Sequence, residues 1–423
     1  MSSPRIVLHR VGGWLPKDQN VLEAWLSKKI AKAKTRNRAP KDWAPVIQDF
    51  QRLIETDAEI YMGFHQMFEQ VPKKTPYDKD PTNEQWQVRN YMHMLDLFDL
   101  IITEAPDFEQ NDLVGFPINA ILDWPMGTPG GLTAFINPKV NIMFHKMFDV
   151  WAVFLSSPAS CYVLNTSDSG WFGPAATAAI PNFKETFICD PSLPYLGYTS
   201  WDNFFTRLFR PGVRPVEFPN NDAIVNSACE STVYNIAPNI KPLDKFWIKG
   251  EPYSLNHILN NDPYASQFVG GTISQAFLSA LNYHRWASPV NGNIVKVVNV
   301  PGTYYAESPV TGFGNPEGPD PAAPNLSQGF ITAVAARALI FIEADNPNIG
   351  LMCFVGVGMA EVSTCEVTVS VGDVVKKGDE IGMFHFGGST HCLIFRPQTK
   401  ITFNPDYPVS TAVPLNAAVA TVV

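Results

Sequence analysis

VSVGDVVKKGDEIGMFHFGGST, residues 369–390, decides how the second half of this chain is read. Short runs of Val, Ile and Phe are broken at Gly372-Asp373 and Gly378-Asp379, the pattern of strands joined by tight turns. The same texture extends upstream. GNIVKVVNVPGTYY (292–305) and ALIFIEADNPNIGLMCFVGVGM (338–359) mix β-branched runs with Gly, Pro and Asn, so the chain from about residue 190 onward reads as many short strands. Before that point the period changes. VLEAWLSKKIAKAKT (21–35) carries Leu22, Trp25, Leu26 and Ile30 on one helical face. A longer stripe runs from Trp43 to Phe68 through Val46, Ile47, Phe50, Leu53 and Ile54, and two more helical stretches are predicted at 84–103 and 139–156. Between these two, DWPMGTPGG (123–131) lies in a Pro/Gly-rich connector over 116–131 that excludes a continuous helix. A boundary near 180–195 follows. It gives an α+β fold, with a helical N-terminal domain over 1–190 and a β-rich domain over 191–423.

Bulk properties exclude several roles. The formal net charge is −9 and no run of five or six basic residues occurs, so a nucleic-acid partner has no electrostatic footprint. No stretch of 18 or more apolar residues is present and MSSPRIVLHR has no signal-peptide core, so no stable membrane insertion and a cytoplasmic location are expected. Cys161, Cys189, Cys229, Cys353, Cys365 and Cys392 are widely spaced without a C-x-x-C pair. They read as buried thiols, not as a metal site or disulfide framework. The strand–Gly-Asp–strand rhythm of 369–384 has the look of a lipoyl or biotinyl carrier. A carrier needs a modifiable Lys at a hairpin tip, however, and the upstream half-repeat offers only Lys296 in mid-strand. GFGNPEGPDPAAPN (312–325) reads as an exposed loop.

Gly-Gly-Ser alone is usually a flexible turn. Its setting says more: residues 374–390 resemble, almost position for position, the processing site of the phosphatidylserine decarboxylase family. Further matches follow in family order: SWDNFFTRLFRPGVRPV (200–216), IKGEPYSLNHIL (248–259), YHRWASPVNG (283–292) and PGTYY (301–305). The spellings ACES (228–231), YSLNHILNNDP (253–263), FIEADN (341–346), FHFGGS (384–389) and VFLSS (153–157) resemble a fungal branch of the family that includes an L-tryptophan decarboxylase.

The resemblance implies a proenzyme that cuts itself between Gly388 and Ser389 into a β chain (1–388) and an α chain (389–423). Ser389 would become a pyruvoyl cofactor, with no PLP and no metal, and the partner would be a small-molecule amino-acid substrate. A glycine before the cut leaves its carbonyl open to attack by the serine hydroxyl. Thr390 is a candidate donor to the oxyanion, and His284 matches the first histidine of the family's His-x-x-His element, a proton donor near the pyruvoyl group. The second histidine, the family's self-cleavage base, is replaced by Ala287. Glu230 stands where the family has the aspartate that orients that base. Strand alternation puts His385 and His391 on the face of Gly387 and Ser389, making His391 a candidate replacement base. A processing-deficient precursor is the expectation; use of another base or a degenerate, non-catalytic relative are the alternatives. On substrate, the alternative to tryptophan is phosphatidylserine. The oligomeric state is not legible.

Overall fold

Apolar stripes at helical spacing build the first layer. The computed structural model describes residues 19–73, 88–108, 116–245, 253–279, 281–308, 310–313 and 327–423. Its N-terminal part holds α1 (Gln19–Arg36), α2 (Pro45–Thr56), α3 (Ala58–Glu69), α4 (Tyr91–Ile101), α5 (Pro117–Met126), α6 (Pro129–Phe135) and α7 (Pro138–Leu155), and short helices at Pro174–Ala179, Phe183–Thr186 and Trp201–Phe205 follow before the first strand. The long stripe from Trp43 to Phe68 is two helices, because Asp57 leaves helical geometry and its carboxylate accepts the N–H groups of Glu59 and Ile60. The Pro/Gly-rich connector at 116–131 is itself mostly helical, broken only at Gly127 and Thr128. Pro117 and Pro129 each occupy a first helical turn, where a missing N–H costs nothing. Residues 84–87 of the expected fourth stretch, and 314–325 of the expected loop, lie outside the described residues.

The described residues beyond 220 form β1 (Ile224–Asn226), β2 (Ser231–Pro238), β3 (Thr272–Leu278), β4 (Arg285–Ala287), β5 (Gly292–Val300), β6 (Arg337–Ala344) and β7 (Leu351–Met359). They continue with β8 (Cys365–Val367), β9 (Val374–Val375), β10 (Glu380–Phe384), β11 (Gly388–Phe395), β12 (Ile401–Phe403), β13 (Ala412–Val413) and β14 (Ala418–Val422). Eight of them make one antiparallel sheet in the order β13-β2-β3-β11-β7-β6-β5-β9, while β1-β14-β12 and β4-β10-β8 make two three-stranded sheets. Lys296, on β5, is ion-paired with Asp262 at 2.5 Å rather than displayed at a turn.

Alternation along the large sheet separates two apolar cores. On one face Cys392 and Ile394 of β11, Val355 and Val357 of β7, and Leu339 and Phe341 of β6 join the core of the helices. On the other, Leu393, Phe395, Phe354 and Ile340 pack with Trp286, Phe384 and Ile381 from the β4-β10-β8 sheet and Val225 and Ala420 from the β1-β14-β12 sheet. The helices therefore share one core with the sheet rather than keeping their own.

Phe386, just after β10, fastens these layers together. Its ring meets Trp151 of α7 at 5.4 Å, Trp201 at 5.9 Å and Phe205 at 5.6 Å, all near edge-on. Phe386→Ala is expected to cost about 3–5 kcal/mol, read from urea unfolding midpoints. A loss under about 1 kcal/mol would mean that the ring is not a structural anchor.

Candidate active site

Ser389 sits at the head of β11, the strand flanked by β3 and β7. It lies opposite Leu278 on one side and Gly358 on the other. The residue is 1% exposed, and among the described residues its hydroxyl has no hydrogen-bond partner. A buried hydroxyl left unsatisfied costs about 1–3 kcal/mol, so this orphan opposes folding.

The two glycines before it are shaped by their neighbours. Gly387 has φ +148, and a β-carbon there would meet the Ser363 hydroxyl, so no L side chain fits. At Gly388 a β-carbon would lie 3.0 Å from the Met359 carbonyl oxygen and 3.1 Å from the Phe116 ring. The opposing turn after β7 is strained: Ala360, Glu361 and Ser363 have φ of 55°, 27° and 41°. It is held by the Ser363 N–H donating to the Phe386 carbonyl (2.7 Å) and the Ala360 N–H to that of Tyr304 (3.0 Å). The Ser363 hydroxyl bonds the Met359 and Ala360 carbonyls and lies 3.4 Å from the carbonyl oxygen of Gly388. Ser363 thus brings a hydroxyl beside that carbonyl, with its single hydrogen directed to Met359 or Ala360. Thr390 does not, because its hydroxyl donates to the Ala276 carbonyl (2.9 Å) and accepts from Gln275 (3.1 Å) on the other face of β11.

Glu361 is fully buried against the start of α5. Its carboxylate accepts the N–H groups of Ile118 (3.1 Å) and Asn119 (2.9 Å), with the Tyr305 hydroxyl at 3.5 Å. Desolvation outweighs these bonds and pushes its pKa up to about 8.

His284 is also fully buried, its ring stacked on Phe205 at 4.1 Å, and neither nitrogen makes a well-formed hydrogen bond. Burial, then the charge of Arg207, lowers its pKa to about 3 against a small opposing pull from the Asn282 carbonyl, so it is neutral. His391 follows Ser389 on the same face of β11, stacked on Phe354 at 5.9 Å, with Nδ1 unpartnered. Burial lowers its pKa to about 4. His385 departs from the alternation. The chain leaves β10 at Phe384 and turns at Gly387, so His385 reaches the rim, between Asp202 (2.8 Å) and Glu366 (2.7 Å). Desolvation is the largest single influence on it and lowers its pKa, but the two carboxylates together raise it to about 9.

Ala287 and Glu230 occupy one neighbourhood, on a different side of β4 from Trp286. Ala287 packs with Phe187, Tyr283 and Leu415, and its N–H donates to the Ala228 carbonyl at 2.8 Å. The Leu415 N–H donates to Glu230 Oε2 at 2.8 Å. Arg214 takes both oxygens of Glu230, at 3.0 and 2.5 Å, so this carboxylate orients no histidine here. Ser363, Glu361 and Phe386 are the site residues that sequence reading missed. Glu361 had a signal, as the lone charge in LMCFVGVGMAEVSTC (351–365); the serine had none.

A neutral buried histidine, an unpaired serine hydroxyl behind two close-packed glycines and a strained turn beside their carbonyl meet here, and comparison identifies the class of the chain as a carboxy-lyase. Models of phosphatidylserine decarboxylase match residues 44–180 and 201–415. The chain is 39% identical over 408 residues to an L-tryptophan decarboxylase of Psilocybe cubensis, covering 92% of this chain and 89% of that protein. It is 44% identical over 349 residues to decarboxylase iboD of Amanita muscaria, covering 77% and 99%. Phosphatidylserine decarboxylase proenzyme 3 of Schizosaccharomyces pombe is more distant, 31% identical over 53% of this chain and 21% of its own length. The chain belongs to the phosphatidylserine decarboxylase family. Among the described residues no helix is long and apolar enough to cross a membrane.

The titrating groups fix a pH signature. Glu361 and His385 have folded pKa values near 8 and 9, above their ordinary 4.5 and 6.5, so both bind protons more tightly when folded. The stability they confer is lost as pH rises through those values. His284 and His391 act oppositely and only below about pH 6.5, where the unfolded chain takes up protons that the folded one refuses. Stability should therefore fall between about pH 6.5 and 9. Glu361→Gln should flatten that fall in urea titrations at the two ends; an unchanged slope would remove Glu361 from the account.

Proposed function

We propose that this chain is the precursor of a pyruvoyl-dependent decarboxylase that cuts itself between Gly388 and Ser389 and acts on an aromatic L-amino acid, tryptophan giving tryptamine. The observation that carries the reading is the unpartnered, buried Ser389 hydroxyl beside a Gly388 carbonyl already in contact with Ser363. Relatives named L-tryptophan decarboxylase align over most of their length, whereas phosphatidylserine decarboxylases align over about half of this chain, which favours the amino acid over the lipid.

In the self-cleavage, Ser389 Oγ attacks the Gly388 carbonyl carbon and the peptide C–N bond gives way to an ester. The Ser363 hydroxyl, 3.4 Å from the Gly388 carbonyl oxygen, would donate to the oxyanion by turning its hydrogen away from the Met359 or Ala360 carbonyl. A base removes the Ser389 α-proton, the ester is eliminated, and Gly388 leaves as a carboxylate. The dehydroalanine left at 389 takes up water, loses ammonia and becomes the pyruvoyl group. The residues fit that group, since Ser389 is enclosed and its side chain has no other task. Once present, its ketone supplies an electron sink for the pair released with CO₂. His284 is the proton carrier the resemblance implies for the substrate carbon; burial lowers its pKa to about 3, so by itself it takes up a proton only weakly.

The base is the weak part of the machinery. Residue 287 is alanine among apolar neighbours and Glu230 is spent on Arg214, so processing is expected to be slow and the uncut chain to accumulate. His391 is the candidate substitute, neutral and on the face of Ser389, although its low pKa makes it a feeble one. The denatured mass of the purified protein tests this. One species near 46.9 kDa is expected, falling to two chains in Ala287→His. Any slow cutting in the unchanged chain should vanish in His391→Ala. A single intact chain in every case would sink self-processing. Cut protein offered L-tryptophan and phosphatidylserine vesicles should release CO₂ from the amino acid; release from the lipid alone would end the amino-acid reading.

A further inference from the structure

A cleft of about 770 Å³ opens between α7 and the ends of β5 and β6, and the turn holding Ser363 forms part of its wall. Ser363 thus borders the cleft, and its hydroxyl lies 3.4 Å from the Gly388 carbonyl oxygen, at the bond proposed to be cut. Two half-exposed isoleucines, Ile136 and Ile142, give it an apolar lip.

Its electrostatics are one-sided. No Asp or Glu lines it, while Arg337 and His145 do. The nearest acid on that helix, Asp149, is engaged by His145 at 3.9 Å. Arg337 is 4% exposed and donates to the backbone carbonyls of Ile258 (2.7 Å), Ala335 (2.7 Å) and His257 (2.6 Å). Carbonyl dipoles solvate a guanidinium without cancelling its charge, and among the described residues no carboxylate pairs with it. The other buried arginine, Arg207, differs in lying over aromatic rings, Phe187 at 4.4 Å and Phe204 at 5.3 Å. Arg337 has no such cover and borders an open space, where a low dielectric extends its field.

We propose that this cleft is the substrate-docking site and that the uncompensated charge of Arg337 makes it select molecules with a free carboxylate beside an apolar or aromatic body. The inference rests on the decarboxylase reading above and gives that site its recognition chemistry. Arg337 acts as a positioning residue: its field draws the carboxylate in without touching the reacting atoms.

The full-length protein is titrated calorimetrically with indole-3-propionate and with indole-3-propionamide, which has the same shape and no charge. Neither carries an α-amine, so binding is read apart from turnover. The propionate should bind at least about tenfold more tightly, with the preference shrinking as salt is added. Arg337→Gln should abolish the preference. If that variant does not fold, Ile142→Glu at the exposed lip reads the same field, since a carboxylate there should cut the preference severalfold at unchanged melting temperature. Equal affinity for the two ligands, or no binding of either at millimolar concentration, overturns the proposal. So does a full preference in folded Arg337→Gln, or in Ile142→Glu where the arginine variant fails to fold. Binding with this preference in a protein that never cuts itself or releases CO₂ would leave the cleft standing and sink the proposed function instead.

Discussion

Everything near the site depends on β11 being paired along both edges. From Ser389 to Phe395 each residue has a partner in β3 and another in β7, so the strand's backbone donors and acceptors are used up. A serine in such a strand is held in place by its backbone pairing on both sides. That rigidity lets Gly387, Gly388 and the 360–363 turn be pressed together at distances a looser element would relax.

Some buried polar groups of the molecule are fully satisfied. Asp99, 1% exposed, accepts from Arg36, Arg38 and the Ala44 N–H. Gln275 is bonded to Tyr253, Thr332 and Thr390 beneath the sheet. The Ser389 hydroxyl, both nitrogens of His284 and Nδ1 of His391 are unpartnered, as are buried atoms such as Trp286 Nε1 and Arg207 Nε. Their desolvation and the strain of three non-glycine residues at positive φ oppose folding. The opposing gain comes from the two apolar cores and from the aromatic ring of contacts around Phe386.

The secondary structure was largely legible because period carries it. The β-branched run 338–359 became β6 and β7, and the stripe of α1 lies where Leu22, Trp25, Leu26 and Ile30 put it. Misreadings came from single residues that local pattern does not weigh. Asp57 split one helix, prolines at helix starts made helices of a supposed connector, and Gly387 turned His385 out of the alternation. In the site, Gly388, Ser389 and His284 were visible through motifs. Ser363 and Arg337 were not, since their importance lies in proximity to segments far along the chain. The pairing of Glu230 with Arg214 was hidden for the same reason.

The placement of residues 389–423 has a consequence for what a cut would produce. That stretch supplies β11 in the middle of the large sheet, β13 at its edge, and β12 and β14 in a separate small sheet. Severing the bond before Ser389 would free no domain, because the shorter piece is threaded through three parts of the architecture. The products would be two polypeptides folded as one body, migrating together by size in native buffer and parting only in denaturant. The shorter piece holds no complete sheet and the longer one keeps only β4-β10-β8 whole, so the nicked molecule, once unfolded, would face a bimolecular reassembly that the unbroken chain does not.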